Sequence, residues 1–275
     1  MTADQQGRSG MKVVGMLHAP ALPGAPGYAG DWAKLRGFVL RDALALVEGG
    51  VHGLMLENFG DVPFFSGRVP AEVVACLTRL ACDVKREIGE AVPLGINVLR
   101  NDGESALAVA SACGAAYVRV NVLSGAVVTD QGVIQGDAAR LLRRRKEMGA
   151  EEVAVWADVR VKHAAPIGQG WRPLEEEVEE LVLRAGASGV IVSGSGTGKA
   201  TDMTELREVR DVMNTLGEQA VPIWVGSGAT ADTAAALLEH ADGLIVGTSV
   251  KADGQLGRAV EAKRVKALMD AVPIG

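Results

Sequence analysis

Eight apolar runs alternate with helix-patterned segments along this chain, and that alternation limits the fold more than any other feature. The runs cover 12–19, 52–59, 93–99, 117–123, 152–159, 189–193, 222–225 and 243–246. The segments between and after them repeat apolar residues at helical spacing, over about 31–48, 70–89, 103–113, 137–148, 174–185, 203–215, 231–240 and 257–271. Asp31 is placed to cap the first helix, and Leu35, Val39, Leu40, Ala43, Leu46 and Val47 form its apolar stripe before Gly49-Gly50 ends it. Gly89, Gly114, Gly149 and Gly186 fall just past the last periodic residue of later segments, where a left-handed residue closes a helix.

A helix after every strand carries the chain back to the starting edge, so the strands must pair in parallel. Strands that are nearly all apolar, such as the run at 244–246, need cover on both faces. A closed eight-unit barrel meets both demands. An open doubly wound sheet would place a glycine-rich phosphate loop after its first strand. Here that position holds HAPALPGAPGYAG, which is rich in proline and lacks G-x-G-x-x-G. The expected fold is therefore α/β, a single (β/α)8 TIM barrel over 11–275, preceded by a disordered tail at 1–10.

Bulk properties remove several function classes. The 275 residues match the usual size of one such barrel. A net charge of −6 without a basic stripe argues against nucleic acid as a partner, and Arg143-Arg144-Arg145-Lys146 reads as a solvated helix face. Cys76, Cys82 and Cys113 are odd in number and lack metal-ligand spacing, which points to buried reduced thiols. No apolar run reaches the roughly 18 residues of a membrane span, and MTADQQGRSG has no signal pattern. A cytoplasmic protein acting on a small molecule is expected, as a homo-oligomer.

Two runs end on glycine-led turns: VPIWVGSGAT at 221–230 and ADGLIVGTSV at 241–250. In a barrel, the turns after strands seven and eight commonly hold a phosphate group. Gly226, Ser227, Gly228, Gly247 and Thr248 are the expected phosphate contacts, since glycine lets the backbone approach an anion closely. A helix starting near Thr230 would add the positive end of its dipole. The sixth run ends in VSGSGTGK at 192–199, so Ser193, Gly194 and Thr197 join this set. That stretch resembles half of a P-loop, but Ala200 follows the lysine and the glycines are out of register, which argues against nucleoside triphosphate hydrolysis. The proline-rich stretch at 20–30 reads equally as a lid or as a plain surface loop.

At the carboxyl end of a barrel, function sits where strands become loops. Those positions carry His18, Glu57, Asn58, Asp61, Asn97, Arg100, Asn101, Asp102, Arg119, Asn121, Asp158, Lys162 and His163. Alternation puts Met55 with Glu57, Gly95 with Asn97, Arg119 with Asn121 and Trp156 with Asp158 on common faces. One register aims Glu57, Asn97, Asn121 and Asp158 into a shared cavity. Two carboxylates beside Arg119 and Lys162 would have coupled charges suited to proton transfer. In that reading Asp158 is a base or oxocarbenium stabiliser and Glu57 its acid partner. Asn97 and Asn121 bind hydroxyls, and Lys162 steadies negative charge. Arg119 reads equally as part of an ion-pair network closing the barrel top, His163 as a solvated loop residue, and His18 as packing beneath the proline loop. No H-x-H or H-E-x-x-H pattern is present, so neither a metal nor a cofactor is expected.

Several blocks in order resemble the BtpA family (BtpA/SgcQ family) of barrel proteins. They are LENFGDVPF at 56–64, GINVLRNDG at 95–103, RVNVLSGAVVTDQGVIQG at 119–136, ADVRVKHAAP at 157–166, VGSGAT and VGTSVKADG. The resemblance covers nearly the whole chain beyond its first ten residues. It implies a phosphate-binding barrel, with site positions at Glu57, Asn58, Asp61, Asn97, Arg100, Asn121, Asp130, Gln131, Asp158, Lys162, His163 and the glycine turns. Two departures, Ser193 where threonine is common and Thr233 where asparagine is common, bear on substrate specificity. Family membership also implies two kinds of function. Some members are photosystem I biogenesis or stability factors, and others are nucleosidases or sugar-phosphate enzymes. The expectation is an enzyme acting on a phosphorylated sugar or nucleoside-like substrate, with N-glycosidic chemistry and enediol isomerisation both open. A non-catalytic assembly factor or a regulatory metabolite-binding protein is the alternative.

Overall fold

The computed structural model describes residues 10–168, 170–194 and 201–273. In chain order the strands are β1 (Val13–His18), β2 (Gly53–Glu57), β3 (Leu94–Asn97), β4 (Tyr117–Val120), β5 (Ala126–Thr129), β6 (Gly132–Gln135), β7 (Ala154–Asp158), β8 (Ala164–Pro166), β9 (Gly189–Val192), β10 (Ile223–Val225) and β11 (Gly243–Val246). Eight of them close a parallel barrel in the order β1-β2-β3-β4-β7-β9-β10-β11, and each lies inside one of the eight apolar runs. The helices are α1 (Trp32–Glu48), α2 (Ala71–Ile88), α3 (Gly103–Cys113), α4 (Ala138–Glu147), α5 (Leu174–Glu179), α6 (Met203–Leu216), α7 (Ala234–Leu238) and α8 (Ala262–Asp270).

Local chemistry explains where they start and stop. Asp31 accepts from Lys34 N at 2.9 Å, Asp102 from Ser105 N at 3.0 Å and Asp202 from Thr204 N at 2.8 Å, each satisfying an orphan amide at a helix start. Gly114 closes α3 with φ of 67°. α7 departs from expectation: it begins at Ala234 rather than near Thr230 and has five residues. The Thr233 hydroxyl takes the Thr230 amide at 3.0 Å and Ala234 N donates to Thr230 O at 2.9 Å, so a single capped turn leads into the short helix. α8 is also shorter than its sequence pattern, because Ala252 N donates to Ala259 O at 2.9 Å and Lys251 bridges Val260.

The sequence reading missed a second sheet. β5, β6 and β8 form a three-stranded antiparallel sheet in the order β6-β5-β8, projecting from the loops after β4 and β7. Val122, Val127, Ile134 and Val161 make its small separate core.

The barrel interior is filled by aromatics set against glycines. Tyr117 stacks on Trp156 with centroids 4.0 Å apart, and Trp156 on Trp224 at 4.3 Å. Each ring lies over a glycine paired with it across the sheet: Gly95 with Tyr117, Gly189 with Trp156 and Gly243 with Trp224. A Cβ on Gly95 would sit 1.9 Å from the Tyr117 ring, and one on Gly243 would sit 2.2 Å from Trp224. Val14, Met16, Met55, Ile191 and Ile245 complete this apolar plug. A separate, larger core lies between strands and helices.

A buried ion pair joins the two ends of the barrel. Lys251, fully buried after β11, donates from Nζ to Asp42 of α1 at 3.1 Å and to Arg258 O at 3.2 Å. The other Asp42 oxygen accepts from Val260 N at 3.1 Å. Each partner is thus satisfied by more than the pairing alone, as a buried charge requires.

Gly95→Ala is expected to lower unfolding free energy by about 2–3 kcal/mol, the cost of overpacking a filled core. Gly67→Ala meets nothing within 4 Å and should change stability by less than about 0.5 kcal/mol. Urea unfolding of the two variants checks this; equal stability would mean that Tyr117 moves aside freely.

Candidate functional site

Directly above the aromatic plug, the next inward position of each barrel strand is polar or glycine: His18, Glu57, Asn97, Arg119, Asp158, Ser193, Gly226 and Gly247. The two-residue period places them there, two positions beyond Met16, Met55, Gly95, Tyr117, Trp156, Ile191, Trp224 and Ile245. Above this layer opens a cavity of about 610 Å³. His18, Glu57, Arg100, Arg119, Asn121, Asp130, Lys162 and His163 contribute its polar and charged wall. Phe59, Val62, Phe64 and Leu99 form an apolar wall that the sequence reading did not single out, although FGDVPF carries most of it.

The layer is organised by one ion pair. Arg119 grips Asp158 through both ends of its fork, Nε to Oδ2 at 2.9 Å and Nη2 to Oδ1 at 2.7 Å. Both residues are buried. Asn121 Nδ2 adds a third donor at 3.0 Å and Ser193 Oγ a fourth at 3.3 Å. Asn97 donates to Arg119 O at 3.0 Å and to Asn121 Oδ1 at 3.3 Å. Asp158 and Asn97 lie beneath the cavity rather than on its wall, and Arg119 and Asn121 reach it from that support.

Other expected site residues hold loops. Asn58 accepts from Leu99 N at 2.7 Å and donates to Asp61, whose Oδ1 takes Leu22 N at 2.7 Å. These bonds pin the proline-rich loop, and a Cβ on Gly60 would strike Ala21 N at 2.2 Å. Residues 20–30 are thus anchored beside β2 and supply none of the cavity wall. Asn101 exchanges two bonds with Val122, and Asp102 accepts from Val69 N at 2.8 Å as well as capping α3. Gln131 donates to Asp130 at the tip of the β5–β6 hairpin, so it stands one residue behind the wall.

The glycine turns do come together. Residues 226–230 and 245–249 follow adjacent strands and line the same cavity. Some of their groups are already used: Gly226 N donates to Val192 O at 2.8 Å, and the Ser227 hydroxyl accepts from Gly194 N at 2.9 Å. Gly226 and Gly247 also make room for neighbours, since a Cβ would meet Ser193 Oγ at 2.5 Å or His18 Cε1 at 2.7 Å. Ser193 and Gly194 face a second cavity, reached past Lys162 and His163. Thr197, with the rest of 195–200, lies outside the described residues, as does the tail at 1–9.

Electrostatics separates the wall residues. Burial, then the charges of Lys251, Lys162 and Arg119, drives His18 down to about 3, so its ring is neutral. Its Nδ1 is buried without a hydrogen-bond partner among the described residues, and Phe59 packs edge-on at 5.0 Å. Burial pushes Glu57 upward, and Arg119, Lys162 and Arg100 offset this only in part. Burial, reinforced by Arg119, lowers Lys162 to about 8. Among the described residues no group of three or more His, Cys, Asp or Glu side chains is arranged to hold a metal ion. Likewise none of the described helices is long and apolar enough to cross a membrane.

A profile of the BtpA family matches residues 10–273. The chain is 39% identical over 263 residues to the photosystem I biogenesis protein BtpA of Synechocystis sp., covering 96% of this chain and 88% of that protein. It is 40% identical over 258 residues to an uncharacterized protein of Thermococcus kodakarensis, covering 94% of each. Among solved structures, N-(5′-phosphoribosyl)anthranilate isomerase from Pyrococcus furiosus superposes with a TM-score of 0.56 at 14% identity, over 95% of this chain and 98% of that one. At that identity the likeness is one of fold, the TIM barrel.

A histidine held neutral in the folded state stabilises the protein fully above pH 6.5, and that stability is lost as pH falls toward 3. Across that window the unfolded chain binds one more proton, which steepens the loss by about 1.4 kcal/mol per pH unit. Glu57, shifted upward, acts in the opposite sense where it titrates. Urea unfolding of wild type and His18→Gln at pH 6, 5 and 4 isolates the histidine. The variant should show the shallower decline, and parallel curves would mean that His18 protonates freely in the folded state.

Proposed function

The chain belongs to the BtpA family, and from that premise we propose that its barrel mouth binds a phosphorylated sugar or nucleoside-like metabolite and moves a proton on it. The observation that carries this reading is the contrast within the cavity wall. Asp158 accepts from Arg119 twice and from Asn121 and Ser193, which leaves its carboxylate fully engaged. The side chains of Glu57 and Lys162 face the cavity with no hydrogen bond or ion pair among the described residues, each shifted toward its neutral form. A carboxyl group shifted upward and an amine shifted downward in one chamber are suited to proton transfer.

The sign of the charge favours one chemistry. Arg100, Arg119 (paired below with Asp158) and Lys162 reach this wall, against Asp130 and Glu57, whose carboxyl group burial shifts upward. A unit charge about 5 Å from one cation interacts by about 3 kcal/mol at an effective dielectric of 20. Such a wall resists a cationic sugar and favours an enediolate-like transition state, so isomerisation or related carbonyl chemistry is preferred over N-glycosidic cleavage. Asp158 then orients Arg119 instead of taking the proton, Glu57 is the acid and base, and Lys162 steadies the developing oxyanion. Asn121 and Arg100 contact substrate oxygens, with Asn97, Asn58 and Gln131 supporting the wall and His163 at its edge. The phosphate is assigned to Ser227, Gly228, Gly247 and Thr248.

A second reading, an assembly factor, draws on the name of the Synechocystis relative and on apolar side chains exposed around the extra sheet. Val128, Val133, Ile167 and Trp171 all stand open there. It predicts binding through that surface and an inert mouth.

Thermal shift with D-ribose 5-phosphate, dihydroxyacetone phosphate and inorganic phosphate tests the binding. Saturation at 100 times Kd stabilises by about 2.7 kcal/mol. Glu57→Gln should keep the shift while slowing solvent deuterium exchange into the sugar by about 100-fold or more, followed by NMR. If no phosphorylated sugar moves the melting temperature of the wild type, the reading fails.

A further inference from the structure

Lys162 is placed unlike two of the other buried cations near the barrel. Arg119 is clamped by Asp158 and Lys251 by Asp42. Lys162 is partly buried and has no carboxylate within 4.0 Å of its ammonium among the described residues. Its backbone is held instead: Arg100 Nη2 donates to Lys162 O at 2.6 Å, and His163 next to it takes the left-handed conformation with φ of 59°. The side chain lines the mouth cavity together with Glu57 and also borders the second cavity, of about 560 Å³, beside Ser193. A fixed backbone, an unclamped amine, an adjacent carboxyl group and open space for a ligand are the parts of a nucleophilic lysine.

We propose that Lys162 forms an imine with the open-chain aldehyde or ketone of a phosphorylated sugar, with Glu57 handling the protons. This rests on the reading of the mouth as a sugar-phosphate site and adds a covalent step to it. The neutral amine adds its lone pair to the carbonyl carbon, and the C=O π pair moves to oxygen. One proton passes from nitrogen to that oxygen through Glu57, giving a carbinolamine. Glu57 then protonates the hydroxyl, the C–O bond breaks to release water, and the nitrogen lone pair closes a C=N bond as an iminium. Glu57, now a carboxylate, is the base that removes a proton from the neighbouring carbon, whose electrons the iminium accepts. No oxidant or reductant is involved. The Lys162 pKa of about 8 leaves a useful fraction of free amine at neutral pH, and Arg119 below opposes its reprotonation.

The test incubates the full chain with D-ribose 5-phosphate or dihydroxyacetone phosphate and sodium cyanoborohydride, which reduces an iminium to a stable secondary amine. D-glucitol 6-phosphate, with a phosphate but no carbonyl, is the control. Intact mass and peptide mapping should show one sugar phosphate per chain on Lys162, forming faster as pH rises through 8, and none with the control. Lys162→Arg keeps the positive charge and should keep the thermal shift with each sugar while losing the adduct. Mapping of the wild type alone decides the matter if that variant does not fold. A thermal shift without an adduct on Lys162 overturns the imine and leaves the binding reading standing. Adducts spread evenly over exposed lysines such as Lys34 and Lys266 overturn it too. Neither shift nor adduct with either sugar overturns both.

Discussion

The doubly bonded Arg119–Asp158 pair is the boundary on which the upper half of the barrel depends. Below it every inward position is apolar or glycine, and above it lies a chamber of charged and polar groups. A buried pair of this kind roughly balances its own desolvation, but removing one partner leaves an uncompensated charge at a cost of several kcal/mol. Asn121 and Ser193 spend their donors on the same carboxylate, and Asn97 ties the β4 backbone beside it. Asn97 on β3, the β4 pair Arg119 and Asn121, Asp158 on β7 and Ser193 after β9 thus hold one geometry. That rigidity lets Glu57 and Lys162 remain unclamped without the chamber collapsing around them.

The polar layer divides by use. Asn58, Asp61, Asn101 and Asp102 bond backbone amides or carbonyls and shape the loops; Asn97, Asn121 and Asp158 fix Arg119. Residue type at the strand ends does not distinguish these from Glu57 and Lys162. Only the partner of each oxygen or nitrogen does, and that partner is often far along the chain, as Leu99 is from Asn58 or Asp158 from Asn121.

This explains what was legible in the sequence. The barrel strands and the starts of α1, α3 and α6 follow from short-range patterns, namely apolar runs, helical spacing and aspartate caps. The two-residue alternation grouped Glu57, Asn97, Asn121 and Asp158 in one inward register. The β5–β6 hairpin was also written locally, as AVVT and GVIQ around a DQ turn, yet it lay hidden in a block read for its motif. The pairing of Tyr117, Trp156 and Trp224 with glycines one strand over depends on register between distant segments, and no single run reveals it. α7 is shorter than its apolar spacing suggests, because the chain reaches Asp242 and the start of β11 within a few residues of Leu238.

The Asp42–Lys251 contact joins α1 to the segment that follows the last strand, across a separation of 209 residues. Asp42 precedes both of its donors, Lys251 Nζ and Val260 N, by more than 200 residues. Without those donors its carboxylate has no buried partner, and burying it uncompensated against the sheet costs several kcal/mol. Seating of α1 on the barrel is therefore tied to the segment that follows β11, the strand that pairs with β1.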